Sequence, residues 1–230
     1  MALPKLNDTP KYEMKIPSTK QKVKFRPYLV KEEKILLMAA ETKDLNQIMN
    51  AVIDTVNACI ETPIARNGLT TFDLEYMFIK IRSKSVGENV DVSLICSACS
   101  NEHPVTISLE DIECKMNKSN NVVVLDENVS LEMSYPSYGS MDLTGDADEL
   151  GFKIIANCID TVLTQEERIN VSEETPESIK NFIESMTKAQ FEKVAAYIET
   201  MPQVSHNVEF DCSSCGEHNN TVIKGMQSFF

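Results

Sequence analysis

The chain has 230 residues, 42% hydrophobic and 25% charged, an ordinary globular mix with length for one large domain or two small ones. Its net charge of −13, from 35 acidic against 22 basic residues, would repel nucleic acid unless a basic patch were set apart. The longest apolar run, Ile35–Ala40, falls far short of the ~20 residues of a membrane helix, and the polar opening MALPKLNDTPKYEMK lacks the apolar stretch of a signal peptide.

Residues 1–10 read as an arm punctuated by Pro4 and Pro10. Tyr12–Ile16 and Val23–Tyr28 alternate on either side of a Pro17–Gln21 turn, which predicts a β-hairpin. The five Lys and one Arg between Lys11 and Arg26 interleave with apolar residues, so they read as a solvated strand face. Three helices are predicted next: Lys31–Glu41, with Ile35, Met38 and Ala39 on one face; Leu45–Ile60, with Ile48, Ala51, Val52, Thr55, Val56 and Cys59; and one from the capping pattern Thr70-x-x-Asp73 to Gly87, with Leu74, Met77, Phe78 and Ile81 inward.

Asn89–Ile95 is strand-like. Beyond it, Ser108-x-x-Asp111 predicts the cap of a short helix, and Asn121–Leu125 with Val129–Met133 predict a second hairpin about Asp126–Asn128. Ser134–Asp148 reads as a loop. A second helical block is predicted to run to about residue 201. Its first stripe is Phe152, Ile155, Ala156, Ile159 and Leu163. Its second, started by Thr175-Pro176-Glu177, is Ile179, Phe182, Ile183 and Met186, and its third is Phe191, Val194, Ala195 and Ile198.

Two cysteine pairs stand out, Cys96-Ser97-Ala98-Cys99 and Cys212-Ser213-Ser214-Cys215, each between strand-like runs and each followed by a short polar turn. Without a secretory signal, such pairs point to metal or redox chemistry rather than disulfides. Four thiolates from two matched knuckles suit one tetrahedral ion, so the reading is one structural Zn2+ per chain on Cys96, Cys99, Cys212 and Cys215. An iron–sulfur cluster is the alternative, because four cysteines serve both. Independent redox pairs are disfavoured by the lack of Trp, Pro or Gly between the cysteines. Residues 100 to 211 separate the pairs, where a compact ribbon has ~15–20 residues. The ion would thus join distant parts of the chain, and its binding energy would be folding energy.

His103 and His218 read as solvated turn residues, with a ligand or supporting role as the alternative. Glu102 and Glu217 read as solvated carboxylates. Cys59, Cys114 and Cys158 read as buried small residues. A sphere filled by four thiolates has no open position for catalysis. With three His, seven Gly and neither His-Glu-x-x-His nor Gly-x-Ser-x-Gly, the chain reads as no enzyme and as binding no small-molecule substrate.

The expected fold is α+β: mainly helical, with an N-terminal β-hairpin and a zinc-ribbon-like pair of β knuckles closed by the four-cysteine site. The expected division is an arm at 1–10, a hairpin plus helical block at 11–88, two halves of the ribbon at 89–110 and 204–224, an inserted hairpin and helical block at 111–203, and an apolar tail at 225–230.

The phrases MALPKLNDTPKYEMKIPSTKQKVKFRPYLVKEEKILLMAAE and FDLEYMFIKIRSKSVGE, with the knuckle and the terminal Phe229-Phe230, resemble the baseplate hub subunits, or hub assembly catalysts, of T4-like bacteriophages. Lys22–Glu33 and Phe72–Glu88 carry the most specific match. The resemblance implies a structural or assembly component of a contractile phage tail baseplate, at or near the central hub. It would act by contacts with other hub, spike and tail proteins, without nucleic acid, membrane or turnover, and reside in the virion after synthesis in the host cytoplasm. Met1–Pro10 and Phe229-Phe230 are candidate anchors in a partner. The alternative reading is a zinc-ribbon nucleic-acid-associated regulatory factor, against which Asp91, Glu102, Glu209, Asp211 and Glu217 flank the knuckles.

Overall fold

A computed structural model describes residues 9–65, 68–116 and 120–226, without the side chains of 147 and 148. Most of the predicted arm and the Phe229-Phe230 tip lie outside the described residues. The chain forms two compact units, one of residues 1–64, 72–115 and 203–230, the other of 65–71 and 116–202.

The first unit opens with the predicted hairpin, β1 (Tyr12–Lys15) against β2 (Lys22–Phe25). Met14, Val23 and Phe25 face inward and the lysines outward, as alternation requires. Helices α1 (Val30–Thr42) and α2 (Leu45–Cys59) follow, and Asp44 caps α2 by accepting from the Gln47 N–H at 3.1 Å. The expected inward face of α1 is not what packs. Ile35 and Met38 are exposed, and the helix buries Glu32. The reason is a charge pair: Glu32 Oε1 accepts from Arg26 Nη2 at 2.9 Å, and its second oxygen accepts from the Leu29 N–H at 2.8 Å.

Helix α3 (Thr71–Ser85) buries Phe72, Leu74, Met77, Phe78, Ile79 and Ile81. Its first-turn Asp73, also buried, accepts from Ser18 N–H and Oγ–H at 2.9 and 2.6 Å, tying the β1–β2 turn to the helix. Ile79 packs into a cluster with Ile107, Leu109, Ile112, Val204, Val208 and Ile223. Those side chains come from two further hairpins and the segment after the first. One hairpin is β3 (Asn89–Ile95) with β4 (Glu102–Ser108); the other is β10 (Val204–Asp211) with β11 (His218–Lys224). The helix predicted after Ser108 does not form. The chain turns and gives β5 (Glu113–Cys114), which pairs with β10 at Val204 and Ser205. Ile112 reaches the core from that extended backbone.

The second unit holds a four-stranded antiparallel sheet in the order β6 (Val122–Val124), β7 (Ser130–Met133), β8 (Ile159–Leu163), β9 (Arg168–Asn170). β6 and β7 are the predicted second hairpin, and Asp126 closes its turn by accepting from the Asn128 and Val129 N–H groups. The predicted stripe from Phe152 to Leu163 is broken: α4 (Ala147–Cys158) ends and Ile159 starts a strand. Ile, Thr and Val are stiff in helices and suit a pleated surface, and β7 offers the ladder. Helix α5 (Pro176–Glu184) has the expected start, capped by Thr175, and the third stripe lies on α6 (Lys188–Glu199), which Thr187 caps. Leu131, Met133, Cys158, Ile183 and Val194 form the centre of this core.

The α+β class holds, but the chain is not mainly helical. Among the described residues six α-helices stand beside eleven strands in several small antiparallel sheets.

Candidate metal centre

Each Cys-x-x-Cys sits at the tip of a long hairpin. The β3–β4 ladder ends at Ile95 opposite Glu102, and the β10–β11 ladder ends at Asp211 opposite His218. The two tips fold alike. In the first, the Cys96 N–H donates to Asn101 O at 2.9 Å and the Ser100 N–H to Cys96 O at 3.0 Å. In the second, the Cys212 N–H donates to Glu217 O at 2.9 Å and the Gly216 N–H to Cys212 O at 2.8 Å. Both turns need a left-handed residue after the second cysteine, supplied by Ser100 (φ 59°) and Gly216 (φ 77°).

The structure brings all four sequence-predicted cysteines together. Their Sγ atoms lie within 4.8 Å of one another, with Cys96 to Cys215 at 3.7 Å and Cys99 to Cys212 at 3.6 Å. A disulfide would need about 2.05 Å. A tetrahedron with ~2.3 Å metal–sulfur bonds has edges of ~3.8 Å, so this cage has the dimensions of one thiolate-bound ion. Cys96 and Cys212 are buried, Cys99 is half-buried and Cys215 is exposed.

The electrostatics favour anionic sulfur at Cys96 and Cys212. Backbone N–H groups of Cys99 and Ala98, then the Asn219 amide, donate to Cys96 and pull its pKa down to about 6. The Ser214 and Cys215 N–H groups do the same for Cys212, lowering its pKa. Asn101 and Glu217 donate to Cys99 and Cys215 and favour their thiolates, but both pKa values end up raised: at Cys99 by burial and the Cys212 and Cys96 sulfurs, and at Cys215, to about 12, by the Cys99 sulfur, burial and the other two sulfurs. Four sulfurs so close resist full ionisation together, and a cation between them would remove that repulsion. The four cysteines can hold a metal ion.

One residue of the site was not visible in the sequence. Asn219, 4% exposed, crosses from the second hairpin to the first knuckle. Its Oδ1 accepts from Ser97 N–H and Oγ–H, each at 2.9 Å, and its Nδ2 donates to Cys96 Sγ at 3.5 Å and Glu217 O at 3.0 Å. The matched turns make His103, not His218, its counterpart. His103 is half-buried rather than solvated: it stacks on Phe210 with centroids 5.1 Å apart and reaches Ser213 Oγ at 3.4 Å. His218 is exposed, and its Nδ1 meets Asp211 Oδ1 at 2.8 Å, which raises its pKa. Neither histidine joins the sulfur cluster. The only sequence signal for Asn219 was a polar residue at an inward position of an alternating strand.

The other cysteines lie apart. Cys59 and Cys158 are buried on α2 and at the end of α4, and burial raises their pKa to about 11 and about 12. Cys114, half-buried in β5, is raised to about 12, again chiefly by burial. Such thiols stay protonated.

Among known families, residues 9–230 match the model described as T4 bacteriophage base plate protein. No curated protein and no solved structure matches.

Proposed function

The chain belongs to the T4 bacteriophage base plate protein family, and from that premise we propose that it is a structural or assembly subunit of the tail baseplate, at or near the central hub. The match over residues 9–230 carries this reading. As a virion tail component it meets other tail and baseplate proteins, and we assign it hub and spike proteins as partners. The exposed Ile35, Leu37 and Met38 of α1 suit a chain that works through protein contacts. Among the described residues no helix is long and apolar enough to cross a membrane.

Within that role, Cys96, Cys99, Cys212 and Cys215 hold one structural Zn2+ that clips the two hairpin tips together. A sulfur cage this small encloses a single ion, whereas an iron–sulfur cube binds its four thiolates to four separate irons. The filled sphere supports a subunit without turnover. The proposed division keeps 89–110 and 204–224 as one ribbon-like module carrying 111–203 as an insert, with 11–88 beside it. The nucleic-acid reading is weaker, because Asp91, Glu102, Glu209, Asp211 and Glu217 lie on the segments flanking the knuckles.

Imaging the tagged chain in intact baseplates tests the role: density at the central hub is the expected result, and density at the periphery or none at any assembly stage overturns it. Metal analysis with an optical spectrum tests the clip. A colourless protein with about one zinc per chain is expected; brown or red absorbance means iron.

A further inference from the structure

The geometry points to Asn219 as the positioning residue of the four-cysteine site: its amide holds the two knuckles in register and donates to the Cys96 thiolate, so that it sets how tightly the ion is held. This rests on the metal reading above. Asn219 lies on the strand leaving the second knuckle, yet three of its four hydrogen bonds go to the first, to Ser97 N–H, Ser97 Oγ–H and Cys96 Sγ. The fourth, to Glu217 O, fixes the amide orientation. Every donor and acceptor role of this buried side chain is thereby engaged.

Three consequences follow from the chemistry. The Ser97 clamp links the two halves through the protein itself, in addition to any link through the ion. The N–H to sulfur bond adds a dipole to the two backbone donors already on Cys96, and withdrawing charge from that sulfur lets four thiolates share one dication. The site is also asymmetric. At the matched position His103 reaches Ser213 but spends its ring face on Phe210, so the Cys96 knuckle has a side-chain donor to sulfur that the contacts of His103 do not reproduce for its own partner knuckle.

Asn219→Asp separates the two roles, since a carboxylate still accepts from Ser97 but cannot donate to sulfur. Competition of the purified full chain against a chromophoric chelator for Zn2+, and cobalt titration followed by thiolate-to-metal absorbance, give the affinity. Asn219→Asp should bind ~10–100-fold more weakly with an unchanged cobalt stoichiometry and far-UV dichroism. Affinity equal to the parent overturns the proposal. A second measurement needs no variant: in the parent loaded with an NMR-active cadmium isotope, an Asn219 side-chain proton should correlate with the metal through Cys96 Sγ. A spectrum in which backbone amides of the knuckles correlate and Asn219 does not also overturns it. A parent chain that takes up no metal refutes the clip itself, which is a separate result.

Discussion

The two units solve the same stability problem by different means. The second packs a four-stranded sheet and three helices around one apolar cluster in which Leu131, Cys158 and Val194 are fully buried. The first holds hairpins of two and three strands in separate small sheets. A lone two-stranded hairpin is marginal in water. Near α3 the β3–β4 and β10–β11 hairpins share an apolar cluster, but at their tips the side chains turn polar and Ile95 is exposed. That is where the four sulfurs meet. The proposed ion would add its stability where hydrophobic burial runs out, and among the described residues no such cysteine cluster occurs in the second unit.

The sharpest way to break this contrast is Cys96→Ser. It should abolish metal binding and lower hydrogen-exchange protection on the order of 1,000-fold at the β3–β4 and β10–β11 tips, while β7 and β8 keep theirs. Equal loss in both units would mean that the clip stabilises the chain as a whole. The converse is Leu131→Ala, which empties a site of 0% exposure in the second core. It should cost about 3 kcal/mol by denaturant unfolding, with zinc content unchanged.

Glu32 tests the charge pair under α1. Glu32→Gln should cost about 2 kcal/mol at neutral pH, less than a fully buried pair because the Arg26 side chain is 22% exposed. Burial alone would raise the Glu32 pKa, but the Arg26 and Leu29 hydrogen bonds outweigh it and hold it below 4.5. A carboxylate with a depressed folded pKa stabilises fully above its unfolded value and loses that contribution as pH falls through the folded one. The parent–variant difference should therefore be constant above pH ~5 and shrink below 4.5. Stability curves at a series of pH values would show it, and a difference that grew in acid would refute the pairing.

The smallest effect separates the two knuckles. Gly216→Ala places a Cβ at φ 77° and should cost about 1 kcal/mol, with thermal melting as the readout. Ser100 already bears that strain at φ 59°, so Ser100→Gly should be neutral within about 1 kcal/mol.

Much of this was legible from local pattern. The two knuckles, the hairpins about Pro17–Gln21 and Asp126–Asn128, α2, and the Thr175-Pro176 start of α5 all follow from residue spacing and turn chemistry. What failed depends on neighbours. Ile159–Leu163 continues a helical stripe by spacing alone and becomes a strand only because β7 lies alongside. Glu113-Cys114 carries no strand signal and pairs because β10 is there. That pairing also revises the role of the clip: β5 and β10 already join the two ends of the 116–202 segment, so the ion need not close that distance alone.

The sequence by itself determined the two cysteine knuckles, since a Cys-x-x-Cys turn is closed by bonds among neighbouring residues and each half folds from its own text. Only the tertiary structure decided what surrounds the sulfurs. By spacing, His103 and His218 stand four and three residues past their cysteines and Asn219 has no role, whereas the folded hairpins bury Asn219 against Ser97 and Cys96. The physical reason is that a side chain's partner across two hairpins is fixed by how the hairpins meet, which no stretch of either hairpin encodes alone.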